Sequence, residues 1–270
     1  MRIYFAALYN SHMGWHQAAY RALSPNARAA YDWAIQDVLE SYHYIHKGGM
    51  TLDASYRDGK KVFMDFGAFS AFSLGVDVSI EAYAEFVKEH KNIIEFTSVL
   101  DAIGDHDGTW RNQTRLEQLG VEVLPCYHYG EPVEVLNYYL DAYPSITIGG
   151  MVPVSTPQLI KWLDYIWPNH ILRDGKPRAK VHGFGLTTPS LMARYPWYSV
   201  DSSSWLQISS FGAVFEPDYG GVIHMSAHAP NRKVDGQHYL NVPAPVRAAL
   251  DEKFASYGFT ADELIQCYKH

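Results

Sequence analysis

The feature that most constrains the fold is an alternation of short β-rich runs with helical stretches along the 270 residues. The runs end in Gly, Asp or Ser, and a helical stretch then follows. Continuous apolar strands that alternate with helices are typical of a parallel sheet. The runs predict seven strands: Ile3–Leu8, Val62–Phe66, Ile93–Leu100, Val121–Tyr127, Ser145–Ile148, Ala179–His182 and Trp197–Val200.

An eighth strand has two candidates, Gly212–Phe215 and Gly221–Met225. Seven or eight strand–helix units are compatible with two folds, an open doubly wound sheet and a closed eight-stranded barrel. The stretches between and after the strands predict helices over Asn26–His46, Ile80–Lys91, Thr109–Leu119, Pro132–Ala142, Thr156–Trp167, Pro189–Arg194, Pro245–Tyr257 and Ala261–Tyr268.

Polar residues favour the barrel, because they follow almost every predicted strand. Asp65, Asp101 and Asp201 each come at the end of an apolar run. A barrel gathers such strand ends at one mouth, and about 250 residues is typical of that fold. The first strand is not followed by GxGxxG, and the sequence contains no GxxxxGK[ST], the motifs of nucleotide-binding open sheets. We therefore predict a (β/α)8 TIM-type barrel with mouth loops, as a single α/β domain over residues 1–270.

Charge and cysteine content exclude several classes of protein. The formal net charge of -7 argues against a surface that binds nucleic acid nonspecifically, although an enzyme that grips a few phosphates can be acidic overall. Cys126 and Cys267 are the only cysteines, which excludes a disulfide framework. No apolar run reaches about 18 residues, so we expect no membrane-spanning helix. The N-terminal run is typical of a first strand rather than a signal peptide, and we expect a cytoplasmic protein.

Asp65, Asp101 and Asp201 are the first candidates for catalysis. Each alone has an alternative role as the N-cap of a following helix, because Asp caps helices well. Burying a carboxylate at the end of a strand costs desolvation free energy unless the group is paired or hydrogen-bonded. Three that converge suit chemistry at an anomeric carbon, where one carboxylate attacks and another transfers a proton to the leaving group.

Other polar residues are expected near the same mouth. Gly149 and Gly150 follow a strand, where absent side chains let a flat ligand lie against the backbone, although two glycines also form plain turns. His128 and Glu131 follow another strand and are expected to line the mouth. Arg232 and Lys233 follow the later of the two candidate eighth strands, and they would contact phosphates if that strand is the eighth.

A metal site has one alternative set of ligands. His224 and His228 have HxxxH spacing, and Cys267 and His270 have CxxH spacing, so together they would supply three His and one Cys to zinc. The separation of the two pairs is arbitrary, and 13 histidines make chance pairs common. We therefore predict no cofactor. Cys126 lies inside an apolar strand and is expected to be an inert buried thiol.

Four segments, in order, resemble the guanine transglycosylases, which exchange guanine for a 7-deazaguanine. They are MDFGAFSAF at Met64–Phe72, LDAIGD at Leu100–Asp105, the Gly149–Gly150 pair, and GFGLTTPSLMARYPWYSVDSSSW at Gly183–Trp205. The segments span slightly over half of the chain. In its AFS run and its VDSSSW block, the sequence resembles the tRNA enzymes less than it resembles a short, phage-encoded branch of the family. The enzymes of that branch modify DNA.

The resemblance implies a (β/α)8 barrel and a double-displacement mechanism. Asp201 would be the nucleophile that attacks C1′ of the (deoxy)guanosine, and Asp65 the general acid and base. Asp101 would bind the Watson–Crick edge of the base. The other residues expected to bind the substrate are Phe66, His128, Glu131, Gly149, Gly150, Met151, Gly185 and Ser202.

The expected activity is therefore the exchange of guanine in nucleic acid, DNA more than tRNA, for a preQ0-like base. The expected partners are the nucleic acid, the 7-deazaguanine base and an accessory protein, in the host cytoplasm if the chain is virus-encoded. The alternatives are a tRNA-guanine transglycosylase, an N-glycoside hydrolase and a non-catalytic DNA-binding subunit. The tRNA enzymes carry a CxCxxC-plus-His zinc site after the nucleophile strand, and this sequence lacks that motif.

Overall fold

A computed structural model of the chain describes residues 1–6, 18, 20–48, 52, 61–67, 79–102, 104–219, 221–229 and 232–266. The chain divides into two compact units, one from Met1–Tyr9 and Gln36–Ser202 and the other from Asn10–Ile35 and Ser203–His270. The single domain expected over residues 1–270 stays a prediction.

The first unit is built on an eight-stranded, all-parallel sheet that curls into a half-barrel. Its spatial order is β4-β3-β2-β1-β8-β7-β6-β5. Strands consecutive in the chain therefore lie side by side, except β4 and β5, and the first strand β1 also pairs with the last strand β8. The strands are β1 Arg2–Ala6, β2 Asp37–Ser41, β3 Lys61–Asp65, β4 Ile94–Thr97, β5 Cys126–His128, β6 Ser145–Gly149, β7 Lys180–Gly183 and β8 Ser199–Ser202.

The two ends of this order, β4 and β5, meet at an incomplete seam. An isolated parallel bridge joins Ser98 to Leu124. The Leu124 N–H donates to the Thr97 carbonyl at 2.8 Å, and the Val99 N–H donates to the Leu124 carbonyl at 3.3 Å. No continuous ladder of described residues closes the sheet at this seam, so the predicted TIM-type barrel is not confirmed.

The seven predicted strands each overlap a strand of the sheet, but the eighth was placed wrongly. It is β2, which lies inside the stretch Asn26–His46 that the sequence predicts as one helix. The candidates Gly212–Phe215 and Gly221–Met225 instead overlap β9 (Ala213–Glu216) and β10 (Gly221–His224), an antiparallel hairpin in the second unit. Leu and Glu in β2 are good helix formers, and pairing with β1 and β3 on both sides overrides that preference.

Helices follow most strands, as the alternation predicted. Several begin at a polar N-cap: the Ala82 N–H donates to Ser79 Oγ at 3.2 Å, and the Gly108 N–H donates to Asp105 Oδ1 at 2.9 Å. The helices are α1 Pro25–Ala34, α2 Tyr42–Gly48, α3 Ile80–Glu89, α4 His106–Gln118, α5 Val133–Ala142, α6 Thr156–Ile166, α7 Pro189–Arg194, α8 Ser204–Ser210, α9 Ala244–Ser256 and α10 Ala261–Gln266.

Short elements complete the described structure. A π-helical turn, Trp167–Ile171, continues α6 into a small hairpin of Leu172–Arg173 and Lys176–Pro177. Two 3-10 turns, Pro217–Tyr219 and Tyr239–Asn241, lie in the second unit. Within the described ranges, no helix combines the length and the apolar character needed to cross a membrane. The cytoplasmic location stays a prediction.

Two apolar layers fix the sheet of the first unit. The larger packs β5–β7 against α5 and α6 through buried side chains such as Leu136, Ile148 and Leu163. The smaller lies on the other face, where Tyr4 and Phe63 are fully buried. Because strand side chains alternate between faces, the residue two positions after Phe63, Asp65, projects from that same inner face at the carboxyl end of β3. The inner layer thus supports the site described next.

The second unit has a core of its own. Its buried side chains come from the hairpin, the following loop and α9, and they are Ile223, Met225, Tyr239, Val242, Leu250 and Phe254. His238 is fully buried there, where its Nε2 lies 3.0 Å from the Ser226 carbonyl and its Nδ1 accepts from the Leu240 N–H. A buried imidazole with both nitrogens satisfied is structural.

Candidate active site

The carboxyl ends of the parallel strands bring the three predicted aspartates into electrostatic contact. Asp65 ends β3, Asp101 follows β4, and Asp201 lies in β8. Burial, together with the charges of Asp101 and Asp201, raises the pKa of the Asp65 carboxyl from 3.8 to about 7. Asp65 is therefore partly protonated near neutral pH, as a general acid requires.

The alternative role of these aspartates as helix caps does not account for two of them. The N-cap of α4 is Asp105, four residues after Asp101. The N-cap of α8 is Ser203, two residues after Asp201. Both carboxyl groups are therefore available for other interactions at the end of the sheet.

Asp65 is held by two donors. Ser98 Oγ donates to Asp65 Oδ1 at 2.8 Å, and the Gly67 N–H donates to Oδ2 at 2.9 Å. Gly67 has a φ of +84°, and a Cβ there would lie 2.3 Å from Ser41 Oγ. The turn after β3 therefore requires glycine, and it aims a backbone N–H at the carboxyl group.

Asp201 is the most buried of the three, with 7% of its surface exposed. Its Oδ1 accepts the Gly185 N–H at 2.9 Å and lies 3.3 Å from His182 Nε2. His182 Nδ1 lies 2.9 Å from Ser199 Oγ, so the imidazole bridges the serine and the aspartate. The inner face of the sheet thus provides a fixed carboxylate with an ordered partner.

Sequence reasoning missed His182. Its ring is 2% exposed and packs against Phe63, with ring centroids 4.5 Å apart, and against Phe184 at 4.8 Å. The available signal was strand alternation, which places His182 and Phe184 on the same face. That signal could not identify the partner, because Asp201 is 19 residues away and belongs to another strand.

The structure brings together Asp101, His128 and Glu131. Asp101 Oδ2 lies 3.2 Å from His128 Nε2, and Glu131 Oε1 lies 3.2 Å from His128 Nδ1. The His128 backbone N–H also donates to Glu131 Oε2 at 2.9 Å. Attraction to the Cys126 sulfur, then the hydrogen bonds to Asp101 and Glu131, raise the pKa of the imidazole. Asp101 Oδ1 is buried and has no hydrogen-bond partner among the described residues.

Gly149 ends β6 against this group, and Gly150 follows with a φ of +68°. A Cβ on Gly149 would lie 3.0 Å from Cys126 Sγ and 3.1 Å from His128 Cδ2. Cys126 is buried, as predicted, and burial raises its pKa to about 11. Glycine at 149 therefore lets the sulfur and the imidazole lie directly against the backbone of β6.

The remaining predicted substrate-binding residues are placed differently. Gly185 donates to Asp201, and Ser202 ends β8. Phe66 is 1% exposed and packs against Tyr83 of α3, and Met151 is 3% exposed within the larger core. Neither of these two buried side chains is open to a ligand in this structure.

Arg232 and Lys233, predicted to contact phosphates, lie in the second unit with His224 and His228 of the predicted zinc set. Arg232 and Lys233 are exposed, and Arg232 Nη1 donates to the Ala227 carbonyl at 3.1 Å. The His228 backbone N–H donates to Ser226 Oγ at 3.1 Å, and His224 pairs through its backbone with His238 in an isolated bridge. Cys267 and His270 lie outside the described residues, so the four-residue zinc set stays an alternative.

Among the described residues, one group of three metal-binding side chains has its donor atoms within 4.8 Å of one another. It consists of Asp101, Cys126 and His128. Comparison with known protein families and with curated proteins returns no significant match. An assignment of function to this chain therefore depends on the chemistry of the carboxyl end of the sheet.

Proposed function

We propose that the chain is a transglycosylase that exchanges guanine in DNA for a 7-deazaguanine base through a covalent intermediate on Asp201. The observation that carries this proposal is the contrast between two carboxyl groups. Asp65, with its pKa of about 7, is partly protonated near neutral pH. Asp201 accepts the Gly185 N–H and faces His182. An acid beside a carboxylate nucleophile is the pair that exchange with retention at an anomeric carbon needs.

The reaction has two displacements at C1′ of the flipped-out nucleotide. Asp201 attacks C1′ while the bond to guanine breaks, and Asp65 gives its proton to the departing base. The incoming base then attacks C1′, the Asp201 carboxylate leaves, and Asp65 takes the proton that the incoming base loses. Each bond formed matches one broken, and two inversions retain the configuration.

Asp101 is suited to recognise the base. Its Oδ1 is a buried acceptor without a partner among the described residues, and such a group costs about 1–3 kcal/mol while it stays unsatisfied. The Watson–Crick edge of guanine and of 7-deazaguanines presents adjacent N–H donors. A bound base would therefore donate a hydrogen bond to this oxygen. The site should prefer bases whose Watson–Crick edge carries N–H donors, because other bases would leave the oxygen unsatisfied.

The proposal includes a closed barrel and a DNA substrate. The Ser98–Leu124 bridge is the contact through which β4 and β5 would complete a (β/α)8 barrel. The choice of DNA over tRNA rests on the resemblance of the AFS run and the VDSSSW block to the DNA-modifying branch. A duplex substrate requires that the target nucleotide leave the base stack.

The test is incorporation of radiolabelled guanine into duplex DNA and, in parallel, into bulk tRNA. We expect label in DNA, loss of label with Asp201→Asn, and full labelling with Asp107→Asn, which removes an exposed carboxylate of α4. Undiminished labelling by Asp201→Asn would overturn the nucleophile assignment. Label in tRNA alone would assign the chain to the tRNA enzymes. Abasic sites without label would indicate a hydrolase, and no change in either polymer would favour a binding subunit.

A further inference from the structure

We infer that Asp101, Cys126 and His128 form a binding site for one zinc-class divalent metal ion. This set shares no residue with His224, His228, Cys267 and His270, and it uses neither Asp65 nor Asp201. It does not depend on the proposed function. Zinc takes Cys, His and Asp ligands in a four-coordinate site, so three protein ligands leave one position for a small ligand.

Secondary structure places the three donors on one side of the sheet. Cys126 and His128 are alternate residues of β5, so their side chains share a face. Asp101 comes three residues after Ser98, whose bridge to Leu124 joins the chain after β4 to the chain before β5. The seam of the half-barrel thus delivers the third donor to the strand that carries the other two.

Two of the three distances between donor atoms match tetrahedral coordination. Zn–S bonds of about 2.3 Å and Zn–N or Zn–O bonds of about 2.0–2.1 Å, at tetrahedral angles, separate S from N by about 3.5 Å and N from O by about 3.3 Å. Cys126 Sγ lies 3.5 Å from His128 Nε2, and Asp101 Oδ2 lies 3.2 Å from Nε2. The sulfur and a carboxylate oxygen of Asp101 lie within 4.8 Å, which rotation of the carboxyl group can shorten.

The imidazole also has the outer partner of a metal-bound histidine. Glu131 Oε1 lies 3.2 Å from His128 Nδ1, and Glu131 Oε2 is fixed by the His128 backbone N–H at 2.9 Å. A carboxylate at Nδ1 keeps the proton on that nitrogen and points the Nε2 lone pair at the metal. The protons that the sulfur and Nε2 carry in the metal-free chain pass to solvent on coordination.

Gly149 supplies the space for these donors. A Cβ at that position would lie 3.0 Å from Cys126 Sγ and 3.3 Å from His128 Nε2, closer than side chains normally approach. Its φ is not in the left-handed region, so conformation does not require glycine. The requirement is for room beside the two donor atoms.

The experiment is titration of the chelator-treated chain with Co2+ alone, under anaerobic conditions. We expect one equivalent per chain, a sulfur-to-cobalt charge-transfer band in the near ultraviolet, and its loss when Zn2+ is added. Cys126→Ser should abolish the band, whereas Cys267→Ser, which removes the other thiol of the chain, should preserve it. A wild-type chain without the band overturns the proposal. If Cys267→Ser loses the band and Cys126→Ser keeps it, the metal belongs to the set with His224 and His228.

Two further variants keep the test decisive if Cys126→Ser unfolds. Glu131→Gln should weaken Co2+ binding by about 10–100-fold without removing a ligand. Gly149→Ala should weaken it too, because the added methyl crowds both donor atoms. Wild-type affinity in both variants would overturn the site. The Co2+ titration contains no nucleic acid, so its result is independent of the guanine-incorporation assay. Either proposal can therefore fail while the other succeeds.

Discussion

Replacing Asp65 with Asn should remove a pH dependence of stability that the buried carboxyl group imposes. The native pKa of about 7 exceeds the unfolded value of 3.8, so between these values the native chain binds a proton that the unfolded chain has released. The free energy of unfolding therefore falls as the pH rises through this window. The contribution is fully present below pH 3.8 and is lost above pH 7.

The size of the effect follows from the same pKa. A difference of about three pH units, at about 1.4 kcal/mol per unit, corresponds to about 4 kcal/mol. This is an upper value, because the Asp65 side chain keeps some contact with solvent, which screens part of the effect. Asn has a similar shape and cannot titrate, so the stability of the variant relative to wild type should rise by up to that amount between pH 4 and pH 8.

The assay is urea unfolding of both proteins at several pH values. Asp107→Asn is the control, since it removes an exposed carboxylate and changes the formal charge equally. Subtracting the control profile isolates the contribution of the buried group. A difference between Asp65→Asn and wild type that stays constant from pH 4 to pH 8 would refute the reasoning, because the carboxyl group would then have the same pKa in both states.

The other perturbations concern the groups that hold the carboxylates. Ser98→Ala removes a donor that stabilises the ionised form of Asp65, so the pKa of Asp65 should rise. In the pH profile of the rate of guanine release, the alkaline limb should then move to higher pH, and an unchanged limb would contradict this. Gly67→Ala should cost about 1–3 kcal/mol in urea unfolding and more than Gly120→Ala, which has a similar φ but open space; equal losses would exclude the predicted steric contact. His182→Gln should lower the rate of covalent-intermediate formation more than it raises KM, because His182 contacts Asp201. A change in KM alone would show that His182 does not assist the attack by Asp201.

The fold was largely predictable because seven strands are continuous apolar runs that end in polar residues. β2 was not, since its stability comes from pairing on both sides with β1 and β3 rather than from local preference. The two candidate eighth strands were attractive because β9 and β10 do have β-forming sequences. Nothing in their own residues distinguishes antiparallel pairing with each other from addition to a parallel sheet.

The candidate site was predictable where it depends on strand ends. Asp65, Asp101 and Asp201 follow apolar runs, and parallel strands bring such ends together. The partners that tune them were not predictable, because Ser98 follows β4 and His182 lies in β7, and both look like ordinary core residues in the sequence. Contacts between residues far apart in the chain carry no local signal.

Asp65 and the proposed metal site should be coupled, because Asp101 belongs to both electrostatic environments. Its negative charge raises the pKa of Asp65, and a divalent cation on Asp101 would offset that charge. Zinc binding should therefore lower the pKa of the Asp65 carboxyl. The comparison is an NMR titration of that carboxyl in the zinc-loaded and metal-free chains, with Cys126→Ser as the control that cannot respond, because the stability of the loaded chain also changes with pH through the protons that zinc displaces from Cys126 and His128. An equal Asp65 pKa in loaded and metal-free wild type would show that no charge has been added beside Asp101.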